Sequence, residues 1–287
     1  MARAIARKGV RLTAAAAALA GALGLAATGP AHAAGEAAHP PELEWSWTGP
    51  FGSFDRAAAQ RGLQVYSQVC AGCHGISQLY YRNLTDLGYT EDQVKEFAAQ
   101  FQVEDGPNEN GEMFMRPAEP SDHFVEPFPN EQAARVANGG AYPPDLSLIV
   151  KNRAHGFGSI GENFLAMLQV RGYSSGADYM HALLAEGYVE PPEDVNLLPG
   201  QYYNKFMAGG AIAMPQPLYP DGVSYEDGTE ATVDQQAYDV ATFLAWAAEP
   251  RLEERKQTGV KVLIFLAIFT GLLIAVKRQT WADVKKH

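Results

Sequence analysis

Apolar positions recur at helical spacing in two stretches of this 287-residue chain and run nearly unbroken in two others. In "FDRAAAQRGLQVYSQVC", Ala59, Leu63, Tyr66 and Cys70 fall on one face, which predicts a helix running into Cys70 with Ser53 able to cap it. Later, Thr232 followed by Gln235 has the pattern of a capping box. Val233, Ala237, Val240, Ala241, Leu244 and Ala248 then form an apolar stripe that ends at Pro250. Between these helices, proline and glycine are scattered through segments such as "PAEPSDHFVEPFPN" and "PLYPDGVSYEDGTE". No fixed repeat is present, and the pattern predicts a loop-rich body with a few helices and little sheet.

The two unbroken runs lie near the ends. Arg3, Arg7, Lys8 and Arg11 precede an Ala/Leu-rich run from Leu12 to Ala27, and Ala31-His32-Ala33 follows. A basic start, a short apolar middle and a small-x-small site describe a secretory signal peptide over residues 1–33 rather than a membrane-spanning helix. The second run, Thr258 to Val276, has 19 residues and one charge, Lys261, near its beginning. At about 1.5 Å per residue it covers roughly 28 Å, close to a hydrocarbon core of about 30 Å. Lys277, Arg278, Lys285 and Lys286 follow, with Trp281 as an interfacial aromatic. The positive-inside rule puts this tail, residues 277–287, in the cytoplasm. The expectation is an exported domain, residues 34–257, held on the periplasmic side of a bacterial inner membrane by one C-terminal helix.

Charge narrows the partners. The chain carries −11 overall; without the four basic residues of the leader and the net +4 of residues 258–287, the exported domain holds about −19. Such a domain repels nucleic acid and can steer a basic protein. Acidic stretches at Glu104–Glu112 and Asp221–Glu230 are the steering patches this suggests.

The chemistry sits at Cys70-Ala-Gly-Cys73-His74, which holds the only two cysteines of the chain. A disulfide across so short a gap gains little, and a zinc site lacks a second Cys/His cluster. A thioredoxin-like pair expects the motif to begin a helix, whereas here it ends one. C-x-x-C-H is the attachment signature of a c-type haem. Two thiols three positions apart can each add across one vinyl group, and the adjoining histidine is then held as proximal ligand. Export agrees with this. An exported dithiol oxidoreductase and a haem enzyme with an open iron site, such as a peroxidase, are the competing readings.

A c-type haem usually takes a sixth ligand. Met167, Met180 and Met207 sit in helix-like or aromatic settings, and Met113 and Met115 are neighbours that cannot be told apart. Met214 in "GGAIAMPQPLYP" lies in a stiff loop between glycines and the prolines Pro215 and Pro217. It is the favoured ligand, with His123, His155 and His181 as competitors.

Ordered segments from about Glu42 to the tail resemble the cytochrome c1 family, the haem subunit of the ubiquinol–cytochrome c reductase (bc1) complex, in a bacterial form. They include "RGLQVYSQVCAGCH", "DGPNENGEMFMRP", "EQAARVANGGAYPPDLSLIV", "GQYYNKF", "AIAMPQP" and "KRQTWADVK". The resemblance implies a mainly α c-type cytochrome domain with long loops and insertions, plus one C-terminal transmembrane helix. It implies one covalent haem c on Cys70 and Cys73 with His74 and Met214 as axial ligands. Asn138 and Pro144 would line the haem, and Arg153 and Tyr179 would meet its propionates. "AHGFGSIGENFLAMLQVRGYSS" looks like an insertion; related bacterial forms can carry a cysteine pair there, and this chain has none. The implied function is transfer of one electron from a Rieske iron–sulfur protein to a soluble cytochrome c, with cytochrome b and membrane lipid as further partners.

Overall fold

A computed structural model describes residues 37–153, 176–193 and 195–282. The expected leader, the whole of the expected insertion (with His155 and Met167) and the last five residues of the tail lie outside them. Within the described residues the architecture is mainly helical.

Helix α1, Arg56–Val65, is capped by Asp55, whose side chain accepts from Ala58 N at 3.1 Å. Ser53 was the expected cap; instead its own N–H donates to Ser46 O at 3.2 Å, two residues too early to reach the helix. The chain then widens into a π turn, Tyr66–Cys70, closed by Ala71 N donating to Tyr66 O at 2.8 Å. A 3-10 turn over Tyr81–Leu87 precedes helix α2, Glu91–Ala98. Strands β1, Gln102–Asp105, and β2, Phe114–Pro117, pair antiparallel with Gln102 opposite Pro117. Helices α3, Glu131–Ala137, and α4, Ile149–Asn152, follow, then α5, Gly176–Ala185. A second short ladder pairs β3, Tyr202–Tyr203, with β4, Ala211–Ile212. Helices α6, Val233–Ala248, and α7, Leu252–Thr280, complete the chain.

The core forms where α1 crosses α6. Gly62 makes the close approach possible: a Cβ there would lie 2.0 Å from Asp239 O and 2.6 Å from Phe243 Cβ. Beside that crossing, the Arg61 guanidinium meets Asp239 with two bonds, Nε to Oδ2 at 2.9 Å and Nη2 to Oδ1 at 3.0 Å. Asp239 is fully buried, so its charge is tolerable only because this paired geometry and Gln235 Nε2, at 3.0 Å, satisfy it. The amide of Gln235 therefore reaches forward to Asp239, so the expected capping box is only half made; Thr232 Oγ1 still accepts from Gln235 N at 3.1 Å. Helix α6 is buried well beyond the expected stripe, taking in Gln236, Thr242 and Trp246. Gln236 Nε2 donates to Tyr219 O and Ala231 O, leaving its Oε1 without a partner, and Thr242 Oγ1 donates to Tyr238 O.

Helix α5 packs on the other side of α6. Its buried Asp178 accepts from Leu43 N at 2.8 Å and Trp45 Nε1 at 2.9 Å, so the segment before α1 is strapped over the helices. Trp45 stacks on Trp47 and on Tyr238, each with ring centroids 4.8 Å apart.

The expected anchor, residues 258–276, lies inside α7, whose 29 residues span about 43 Å. Its first turn belongs to the domain. Leu252 is buried, Arg56 pairs with both oxygens of Glu253, and Phe54 N donates to Glu253 Oε1 at 2.9 Å. Lys256 Nζ donates to Trp47 O, and Glu249, just before the bend at Pro250, meets Arg255 and Lys151. From Val262 onward large apolar side chains such as Leu263, Phe265 and Ile268 are exposed, which suits a hydrocarbon surrounding. The helix is long and apolar enough to cross a membrane.

Candidate functional site

The motif Cys70–His74 begins in the π turn and closes on itself: Cys73 N and His74 N both donate to Cys70 O, at 3.1 and 2.9 Å. Both thiols are free of any disulfide. Burial and the neighbouring Cys73 push the Cys70 thiol up to about 12. Among the described residues no three His, Cys, Asp or Glu side chains come together in a metal-holding group, so the donor set for a zinc site is missing.

Residues 144–147 are laced along the segment that follows the motif. Leu146 N donates to Gly75 O at 2.8 Å, Ser77 N to Asp145 Oδ2 at 2.8 Å, and Gln78 N to Ser147 Oγ at 3.1 Å. Burial pushes the Asp145 carboxyl up, but its donors on Ser147 and Ser77 outweigh that and hold it below the usual value. The lacing delivers Pro144 O to His74 Nδ1 at 2.8 Å. Tyr66 Oη holds the other end of the residue by donating to His74 O at 3.0 Å. Burial lowers the pKa of His74 more than Pro144 O and Asp145 raise it, which favours the neutral ring. With Nδ1–H donating to Pro144 O, the lone pair is on Nε2, the atom an iron ligand must offer. This arrangement fits a haem.

Met214 packs against both hydrophobic clusters of the domain, the main one and a smaller one built on Ala182, Leu183, Phe206 and Ile212. Its loop is stiffened from behind. Asn204, fully buried, donates through Nδ2 to Leu183 O at 2.9 Å and accepts from Phe206 N at 3.1 Å. Asn204 N donates to Gly210 O at 2.8 Å, and Gly210 takes φ +73° under the Tyr203 ring, where a side chain would strike it. Tyr188 Oη then donates to Met214 O at 3.1 Å. Neither Tyr188 nor Asn204 was singled out from the sequence, since each acts through tertiary contacts that no local spacing reveals.

The competing ligands among the described residues lie in varied settings, and the buried His181 keeps Nδ1 without a partner. Met113 and Met115 are exposed on the β2 side of a hairpin, and Met180 is in the core. His123 lies against the Tyr80 ring at 3.8 Å, and the buried His181 meets Asp234 Oδ1 through Nε2 at 3.0 Å. Of the other expected pocket residues, Arg153 and Tyr179 come together, the guanidinium 5.9 Å from the ring centroid. Asn138 closes α3, donating through Nδ2 to Ala134 O at 2.8 Å. Both acidic stretches carry less free charge than their sequences suggest, because Asp227 Oδ2 meets Arg61 Nη1 at 2.9 Å and Asp105 pairs with Arg116.

Residues 45–284 match the family model described as the Cytochrome C1 family. The chain is 51% identical over 248 residues to "Cytochrome b/c1" of Bradyrhizobium diazoefficiens, covering 85% of this chain and 36% of that relative's length. It is 46% identical over 246 residues to "Cytochrome c1" of Rhodospirillum rubrum, covering 84% and 87%. It is 45% identical over 247 residues to "Cytochrome c1, heme protein, mitochondrial" of Saccharomyces cerevisiae, covering 86% and 74%.

Proposed function

Because the chain belongs to the cytochrome c1 family, we propose that it is the haem-bearing electron carrier of a membrane quinol-oxidising bc1 complex. It takes electrons from a Rieske iron–sulfur protein and hands them to a soluble cytochrome c. The haem supplies one-electron exchange between ferric and ferrous iron. Everything else falls to the protein. Cys70 and Cys73 would hold the group covalently, and His74 Nε2 and the Met214 thioether would ligate its iron. Arg153 and Tyr179 would meet the propionates, and Asn138 and Pro144 would line the pocket. Quinol chemistry and proton release belong to cytochrome b and its neighbours.

The single observation that carries this reading is the bond from His74 Nδ1 to Pro144 O, which orients a neutral imidazole as an iron ligand rather than as an acid or base. Helix α7 ties the domain to the membrane with the haem domain on the periplasmic side and the basic tail in the cytoplasm. The acidic stretches Glu104–Glu112 and Asp221–Glu230 steer a basic cytochrome c, at a rate that falls as salt screens it.

Met214→Leu tests the assignment. The variant should keep its covalent haem by mass but lose the near-infrared sulfur-to-iron band, fall in reduction potential, and stop quinol-to-cytochrome turnover. An intact band with an unchanged potential would place another residue at the sixth position.

A further inference from the structure

At the membrane end of the domain, a short loop shares its footing with α7. The loop Thr48-Gly49-Pro50-Phe51-Gly52 is rooted at Trp47 and Phe54. Lys256 Nζ donates to Trp47 O, and Phe54 N donates to Glu253 Oε1 at 2.9 Å. Lys256 precedes the apolar run by two residues, about 3 Å of helix rise. The base of the loop is therefore fastened to α7 just ahead of its apolar run.

Its geometry is fixed. Thr48 N donates to Trp45 O at 3.1 Å and Ser53 N to Ser46 O at 3.2 Å, closing the base. The Trp47 ring leans on Phe54 with centroids 5.1 Å apart. Gly49 takes φ +78°, and a Cβ at Gly52 would lie 2.3 Å from Thr48 O, so the tight path depends on both glycines. The five residues carry no charge. Phe51, within this loop, is 85% exposed. A lone exposed apolar side chain is ordinary. A phenylalanine in an uncharged, braced loop beside a bilayer-crossing helix is different, because the same fastenings that hold the helix also hold the base of the loop.

We propose that the Thr48–Gly52 loop is a second membrane contact, with Phe51 seated in the headgroup–acyl boundary of the phospholipid bilayer. Aromatic rings favour that depth, and a loop already ordered gives up little freedom on seating. The contact would fix rotation about the axis of α7, which a single helix leaves free. It rests on α7 being the anchor.

The test uses full-length holo-protein in phosphatidylcholine vesicles. With Cys70 and Cys73 consumed by the haem, Phe51→Cys supplies one thiol for a polarity-sensitive fluorophore. Val136→Cys, on α3 and equally exposed, serves as reference. The label at position 51 should shift to the blue and lose most of its emission to a lipid-borne shallow quencher, while the label at 136 responds only to aqueous iodide. Flotation of the parent protein checks the anchor separately. Protein that floats while the label at 51 behaves like that at 136 overturns the loop contact alone; protein that fails to float overturns the anchor with it. In the assembled complex, a label at 51 shielded from both quenchers would assign the loop to a protein partner and overturn the lipid assignment.

Discussion

Gly62→Ala adds one methyl group where two backbones nearly touch. Its Cβ would sit 2.0 Å from Asp239 O and 2.6 Å from Asp239 C, neither of which can rotate away. Non-bonded atoms rest at about 3.5 Å, so α1 and α6 must part by on the order of 1 Å at their crossing. Overpacking of this kind typically costs about 1–3 kcal/mol. Parting the helices also stretches the two bonds between Arg61 and the buried Asp239, and loss of such a pair costs about 3–5 kcal/mol. Alanine recovers about 1 kcal/mol of helix propensity. With the ion pair loosened rather than broken, the net loss is about 2–4 kcal/mol, and at about 2–4 °C per kcal/mol for a domain of this size the melting temperature falls by about 4–16 °C. Thermal unfolding of the detergent-solubilised holo-protein, followed by far-ultraviolet circular dichroism, measures it. A melting temperature at or above that of the parent would mean that propensity decides here, and that the crossing tolerates a side chain.

Two further substitutions follow from the site and the elbow. Tyr188→Phe removes the bond to Met214 O, a loss of about 1 kcal/mol; the haem should stay attached while the sulfur-to-iron band fades at a lower temperature, and a band that fades at the parent's temperature would show that this bond does not hold the loop. Bonds to Arg56 keep the Glu253 carboxyl below its ordinary 4.5. A lowered folded-state value contributes stability above the unfolded value and loses it as pH falls through the folded one. Glu253→Gln should therefore melt lower than the parent at neutral pH, with the difference closing in acid. A gap that is constant with pH would assign the effect to packing.

Legibility from the sequence followed the range of the interaction. The face Ala59, Leu63, Tyr66 and Cys70 was readable because a helix repeats its contacts every three or four residues, and all four positions are buried or packed against the core. The run ahead of Lys277 was readable because hydrocarbon imposes one length. The His74 orientation was not: its acceptor, Pro144, lies seventy residues away, and only folding brings a carbonyl to that nitrogen. The extra burial of α6 was also hidden, because Asp239 and Gln236 look solvent-facing until Arg61 and the carbonyls of Tyr219 and Ala231 are in place. The shift of the α1 cap from Ser53 to Asp55 is a smaller case, where two neighbouring oxygens competed and backbone direction chose.

The bend at Pro250 has a mechanical side. Glu253, Lys256 and Leu252 bind the start of α7 to the domain, so the helix cannot lean without carrying the domain with it. A free single-pass helix answers a thicker or thinner bilayer by changing its tilt, at a modest cost per ångström of mismatch. Here each degree of that tilt becomes a degree of inclination of the whole head above the lipid. Bilayer thickness thus joins the list of variables that set how this surface is presented to an approaching protein, and lipids of graded chain length would act as a goniometer for it.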